Sequence, residues 1–185
     1  MGASDPYLFP QYERYILDNL AREFREAKKV AWLGLQSPYR VSRFAESINK
    51  NLESHYYDIA TVEDDKFCHV FDLNEEGYGE KLRKENFDIM TVLRCSFYMN
   101  DHKKSIKEFK DFLTTETKTI WFEDLDPKPN AGEEVAYYNG IRTVKTKKPF
   151  TKSVLEANFC VRGYTRIFGP DGVWYDQYVL TKNET

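Results

Sequence analysis

No stretch of this 185-residue chain approaches the roughly 18 consecutive apolar residues that a membrane helix needs. The opening MGASDPYLFP lacks the apolar segment of a secretory signal, and Pro6 stands where a myristoylation motif requires Ser or Thr. The expectation is a soluble, cytoplasmic protein with no membrane partner. Cysteine is scarce: Cys68, Cys95 and Cys160 are odd in number and widely spaced, which excludes a disulfide framework. Each lies in an apolar run, so buried free thiols in a reducing compartment are expected. Cys95, in LRCSFY, is the best placed of the three for a catalytic thiolate, a role that needs a neighbouring base. His55, His69 and His102 share no metal-type spacing with these cysteines, so no metal is expected.

Charge of one sign is also lacking. Lys and Arg number 27 against 30 Asp and Glu, a net charge of −3 that argues against general nucleic-acid affinity. One basic run, RTVKTKKPFTK (Arg142 to Lys152), reads as a solvated loop in preference to a phosphate-contacting patch. Glycine is thin where nucleotide loops usually need it. AWLGLQSPYR (Ala31 to Arg40) has the outline of a strand, a turn and a helix start, yet it holds only Gly34. The dinucleotide fingerprint is therefore absent.

What the chain does have is rings and alternation. Aromatic residues make up 16%, enough for a core dominated by rings. Residues 1–11 form an N-terminal extension, and 12–185 are expected to make one domain. Tyr12 to Lys29 carries Ile16, Leu17, Leu20, Ala21 and Phe24 at helical spacing. VAWLGL follows as a strand, then a helix capped by Ser37 with Pro38 in its first turn and Val41, Phe44, Ala45 and Ile48 on one face. HYYDIATV and FCHVFDL are strand candidates, Glu75 to Asn86 is charged and broken by Gly77 and Gly79, and Phe87 to Met99 reads as the central buried strand.

HKKSIKEFKDFLTTE reads as a helix capped by Asp101, with Ile106, Phe109, Phe112 and Leu113 inward. KTIWFEDL is a fifth strand, DPKPNAGEEVAYYNG is loop-like, and TKSVLEANF is a short helix. CVRGYTRIF and VWYDQYVLTK then flank GPDG, a hairpin turn signal. Strands and helices in alternation, ending in a hairpin, predict a mostly parallel sheet covered on both faces.

From about Tyr12 to Lys182 this order resembles the class I S-adenosylmethionine-dependent methyltransferases. The best match is FDLNEEGYGEKLRKENFDIMTVLRCSFYM, an Asp ending strand three, an acidic stretch, and Phe87-Asp88 opening strand four. LEANFCVRGYTRI with GVWYDQYVLTK resembles the closing hairpin. The resemblance implies an α/β, three-layer Rossmann-like fold with sheet order 3-2-1-4-5-7-6 and an antiparallel last strand. Strands are expected to begin near Lys29, Tyr56, Cys68, Phe87, Thr119, Cys160 and Val173.

For the site, the resemblance places Gly34 in the cofactor loop, in a degenerate setting where Trp32 stands near the usual acidic position and Gln36, Ser37 and Pro38 replace glycines. Asp58, with Glu63 as the alternative, would accept hydrogen bonds from both ribose hydroxyls, because a carboxylate is a bidentate acceptor. Asp72 would contact adenine. Arg94 and Ser96 interrupt an apolar run near the end of the central strand, where α/β proteins bind ligands. Arg94 is carried as a cofactor contact; it could equally reach a substrate anion or pair with an acidic neighbour. Glu123, beside Asp124 and Asp126, and Tyr98, with Tyr137 and Tyr138, are candidates for the acceptor side. Loop solvation is the plainer reading of the carboxylates.

The function expected is S-adenosylmethionine-dependent methyl transfer, the cofactor being S-adenosylmethionine and the acceptor, small or macromolecular, open. Neither the Asn-Pro-Pro-Tyr of base amino-methylation nor the Lys-Asp-Lys-Glu set of cap ribose methylation is present, and no catalytic base stands out. One rival is a catalytically inactive binding or scaffold protein of the same fold, acting with a protein partner. A second is a nucleotide-binding enzyme of another α/β type.

Overall fold

Asp88 shows how the sheet is anchored at its lower edge. Its carboxylate accepts the amides of Lys28 at 2.6 Å and Lys29 at 2.9 Å, and its own amide donates to the Lys29 carbonyl. Its carbonyl accepts the Lys118 amide at 3.0 Å. One residue thus aligns the starts of β1 (Lys29–Leu33), β4 (Ile89–Leu93) and β5 (Lys118–Asp124). A computed structural model describes residues 20–35, 40–61, 66–93, 95–124, 134–138, 141–145, 152–168 and 174–184.

The remaining strands are β2 (Glu53–Asp58), β3 (Cys68–Val70), β6 (Glu134–Tyr138), β7 (Ile141–Lys145), β8 (Cys160–Phe168) and β9 (Trp174–Thr181). Seven of them form one sheet in the order β3-β2-β1-β4-β5-β9-β8. β1 to β5 pair in parallel, while β9 runs antiparallel to both β5 and β8. With the separate β6–β7 pair set aside, this is the expected order 3-2-1-4-5-7-6. The fold is the Rossmann-like α/β arrangement that the resemblance implied. Cys68 and Cys160 open their strands as expected, whereas β2 begins three residues earlier than Tyr56 and β4 two later than Phe87.

Helices cover both faces. The helix through residues 20–25 (α1) and α2 (Arg40–Ile48) bury Leu20, Phe24, Val41 and Ala45 against Trp32, Ile120 and Tyr175. On the other face, α3 (Tyr78–Lys84), α4 (His102–Phe112) and α5 (Lys152–Asn158) bury Leu82, Phe109, Phe112 and Leu155 against Met90, Val92 and Trp121. Alternation along β1 splits it cleanly: Trp32 joins the first layer, Ala31 and Leu33 the second. Asp101 caps α4 as expected, accepting the Lys104 amide at 3.2 Å.

Two expectations are corrected. Residues 134–138 and 141–145, read as loop and as part of a solvated basic loop, form the antiparallel pair β6–β7, with Glu134 opposite Lys145 and Tyr138 opposite Ile141. Cross-strand pairing in strict register overrides the polar composition of that stretch. The cysteines are free, but only Cys95 is buried; Cys68 is half-buried on an edge strand and Cys160 is exposed where β8 begins. Among the described residues, no helix is long and apolar enough to cross a membrane, and no His, Cys, Asp or Glu cluster is fit to hold a metal.

Candidate functional site

Parallel strands end at one edge of a sheet, and the crevice above those ends is where such folds bind ligands. Here that crevice is a cleft above β1 to β4, lined by Gly34, Asp58, Asp72, Asn74, Cys95 and Tyr98 with apolar walls from Tyr57, Ile59, Phe71 and Leu73. Gly34, Asp58, Asp72 and Tyr98, and with them Cys95, were all singled out from the sequence and meet in one place.

Gly34 ends β1 with φ of 83°, a left-handed conformation that side chains disfavour. Its amide donates to the Tyr57 carbonyl at 2.8 Å, turning the chain sharply over the end of β2. Asp58 is the last residue of β2 and only 6% exposed. Its Oδ1 accepts the Ala60 amide at 2.7 Å, and burial pushes the carboxyl above its usual range against the lowering effect of that bond. A carboxylate so buried, with one short hydrogen bond, retains acceptor capacity suited to donors from a ligand.

Asp72 follows β3, half-buried, and its Oδ1 accepts the Asn74 amide at 2.9 Å and Asn74 Nδ2 at 3.3 Å. Asn74 also donates to the Tyr98 carbonyl at 2.9 Å and accepts the Asn100 amide at 2.8 Å. It thereby joins the β3 exit to the short 3-10 turn Ser96–Tyr98 that follows β4. That turn also lies against β7, so the inserted hairpin stands beside the Tyr98 end of the cleft. Cys95 is buried in the cleft lining with Sγ 3.7 Å from the Leu33 carbonyl oxygen.

Glu123 lies at the end of β5 opposite Asp176 of β9. Arg94, Glu63, Asp126, the loop from Gln36 to Tyr39 with its Ser37 cap, and the side chains of Glu123, Asp124, Tyr137 and Tyr138 lie outside the described residues. Asn74 and the ring wall of Tyr57 and Phe71 were missed from the sequence. The signal for Asn74 was available: Asp-x-Asn in FDLN is the pattern of a side-chain-stapled turn.

The side chains present are of the kinds the adenosine half of S-adenosylmethionine would call for: an acceptor for a diol in the buried Asp58, apolar walls for a flat base in Ile59, Phe71 and Leu73, and an acceptor for an exocyclic amine in Asp72.

No family model and no curated protein matches the sequence. Solved structures share its fold. An S-adenosylmethionine-dependent methyltransferase from Clostridium acetobutylicum ATCC 824 superposes with a TM-score of 0.56 at 9% identity, over 94% of this chain and 91% of that one. The PH0226 protein from Pyrococcus horikoshii OT3 gives 0.57 at 14% identity, over 96% and 94%. MtNAS, in a complex with MTA and tNA, gives 0.54 at 14% identity over 96% of this chain, which spans 62% of the MtNAS chain. The chain has the Rossmann-like fold of the S-adenosylmethionine-dependent methyltransferases.

Proposed function

We propose that this protein binds S-adenosylmethionine in the cleft above β1 to β4 and directs its methyl group to an acceptor held on the Tyr98 side. The observation that carries this reading is the meeting of Gly34, Asp58 and Asp72 around one cleft at the carboxyl edge of the sheet. When bound, the cofactor supplies a methyl group already activated by its sulfonium charge. Asp58 takes the ribose hydroxyls, Asp72 takes the adenine amine, and Gly34 keeps the backbone low enough for close approach. Tyr57 and Phe71, packed edge to face with centroids 5.6 Å apart, hold the wall behind them. The rest of catalysis is alignment and exclusion of water, and alignment alone can supply about 7 kcal/mol or more.

The acceptor side lies over the Ser96–Tyr98 turn, where β7 packs. Its candidate residues are Tyr98 and Glu123, and Arg94 is kept from the sequence as a candidate cofactor contact. A second reading, a protein that holds the cofactor or a protein partner without transfer, is favoured by one observation: Gly34 is the only glycine in LGLQSPYR.

Calorimetric titration with S-adenosylhomocysteine tests cofactor binding. Micromolar binding that is lost in Asp58→Ala supports the reading, and no binding by the unmodified chain at millimolar ligand overturns it. Methyl transfer from labelled S-adenosylmethionine to extract fractions then separates an enzyme from a holder of the cofactor.

A further inference from the structure

Asn74 has its side-chain amide fully committed. Of the two N–H bonds on Nδ2, one points to Asp72 Oδ1 at 3.3 Å and the other to the Tyr98 carbonyl at 2.9 Å. Oδ1 accepts the Asn100 amide at 2.8 Å. The backbone amide adds a second bond to Asp72 Oδ1 at 2.9 Å, and the backbone carbonyl accepts Lys104 Nζ at 3.4 Å.

We infer that Asn74 is a positioning residue that fixes the Asp72 carboxylate for reading the amine of adenine and ties that reading to the Ser96–Tyr98 turn on the acceptor side. This rests on the cofactor reading above. The chemistry is direct. A carboxylate with one oxygen held by two N–H groups cannot rotate freely, so Oδ2 is the oxygen left for a ligand in a fixed direction. An acceptor held in that way favours a 6-amino purine, whose N–H donates to it, and repels a 6-oxo purine, whose oxygen faces it. The same asparagine holds the carbonyl of Tyr98 and the amide of Asn100, so loss of its amide frees both rims together. The turn lies against β7, which extends the link to the inserted hairpin.

The test compares the unmodified chain with Asn74→Ala and the isosteric Asn74→Asp, which keeps an acceptor for Asn100 but replaces both donors by oxygen. S-adenosylhomocysteine and its 6-oxo analogue S-inosylhomocysteine are titrated into each by calorimetry. The unmodified chain should prefer the adenosyl form on the order of tenfold to a hundredfold, the worth of one hydrogen bond to a charged group. Both variants should lose most of that preference. Hydrogen exchange on the unliganded proteins should show the Asn100 amide losing protection in Asn74→Ala. A merely structural role would lower stability without changing the ratio of the two affinities. An unchanged ratio in both variants overturns the role of Asn74 and leaves the cofactor reading intact. Failure of the unmodified chain to bind either ligand overturns both. If Asn74→Ala does not fold, Asn74→Asp, equal in size, carries the comparison.

Discussion

A Cβ placed on Gly79 would lie 1.9 Å from the backbone carbonyl oxygen of Glu108, so α3 and α4 touch with no room for a methyl group. The Glu108 side chain completes the joint. It is buried, and its two oxygens accept the amides of Gly77 at 2.6 Å and Gly79 at 2.7 Å. A buried carboxylate is thus satisfied by free amides at a helix start. This joint fixes where α3 begins, only a few residues after the Asp72–Asn74 turn.

Gly79→Ala should therefore be far costlier than an ordinary glycine-to-alanine change in a helix, which usually stabilises. The helices must move apart, and the loss expected is about 3 kcal/mol or more. Urea denaturation measures it, and a loss below about 1 kcal/mol would show that the contact relaxes easily. Glu108→Ala, which strands the two amides, should be destabilising as well, by roughly 2–3 kcal/mol.

A second buried carboxylate tests the closing hairpin. Asp176, 1% exposed on β9, accepts the hydroxyls of Tyr164 at 2.9 Å and Tyr178 at 3.0 Å and two bonds from the Arg166 guanidinium. Burial, together with the hydrogen bond to Asp176 and its charge, raises the hydroxyl of Tyr164 above its ordinary range. Removing one partner of such a set leaves the others unpaired, so Asp176→Ala should cost about 3–5 kcal/mol. Thermal and urea melts of the variant check this, and near-native stability would mean that water replaces the carboxylate. Arg166→Gln, at a half-exposed position, should cost much less than Asp176→Ala.

Gly34 carries a separate prediction. Its φ of 83° strains any L side chain, by about 1–3 kcal/mol, and a β-branched one most. Gly34→Val should keep the fold, because the hydrogen bond from its amide to Tyr57 can persist, but it should abolish cofactor binding by crowding the cleft. For the unmodified chain, ligand at 100 times its dissociation constant adds about 2.7 kcal/mol of stability. A thermal shift of that size in Gly34→Val as well would place the cofactor away from this turn.

Much of this architecture is legible in the chain because burial on both faces of a parallel sheet leaves an apolar signature. Val30 to Leu35 and Phe87 to Met99 read as strands for that reason, and β1 and β4 are adjacent at the centre, although β4 stops at Leu93 and the rest of its apolar run includes the 3-10 turn Ser96–Tyr98. Asp58 and Asp72 were picked out through the resemblance, which places an acidic residue at the ends of strands two and three. The hairpin β6–β7 was hidden by its charges and prolines, although Asn139-Gly140 between EEVAYY and IRTVK is a strong two-residue hairpin signal. β2 was started late because Glu53 and Ser54 are polar, yet they pair with Lys29 and Val30 in the sheet. For Asn74 the local turn with Asp72 was legible in FDLN, but its bridge was not: Tyr98 and Asn100 are more than 20 residues away, and only the fold brings them together.

Asp58 supplies the prediction that separates stability from function. Burial raises its carboxyl above the ordinary range in the unliganded protein. A group with a raised folded-state pKa gives its full contribution to stability below the unfolded value, near pH 4, and loses it as pH rises through the folded value. Asp58→Asn removes that titration, so the variant should match or exceed the unmodified chain in unliganded stability at neutral pH. The gain should shrink as pH falls toward 4, where Asp58 is itself neutral. Cofactor binding should move the opposite way. Ribose hydroxyls donate to the ionised carboxylate, so affinity for S-adenosylhomocysteine should fall as pH drops through the raised value, with proton release on binding in that window. Asp58→Asn should bind about 1.5–3 kcal/mol more weakly at neutral pH and show little pH dependence there. Calorimetry in two buffers of different ionisation enthalpy measures the protons released. An affinity of the unmodified chain that stays constant from neutrality down to pH 4 would remove Asp58 from the ribose site. A more stable but non-binding Asp58→Asn would show that the chain keeps an ionisable group buried at the cleft for its ligand.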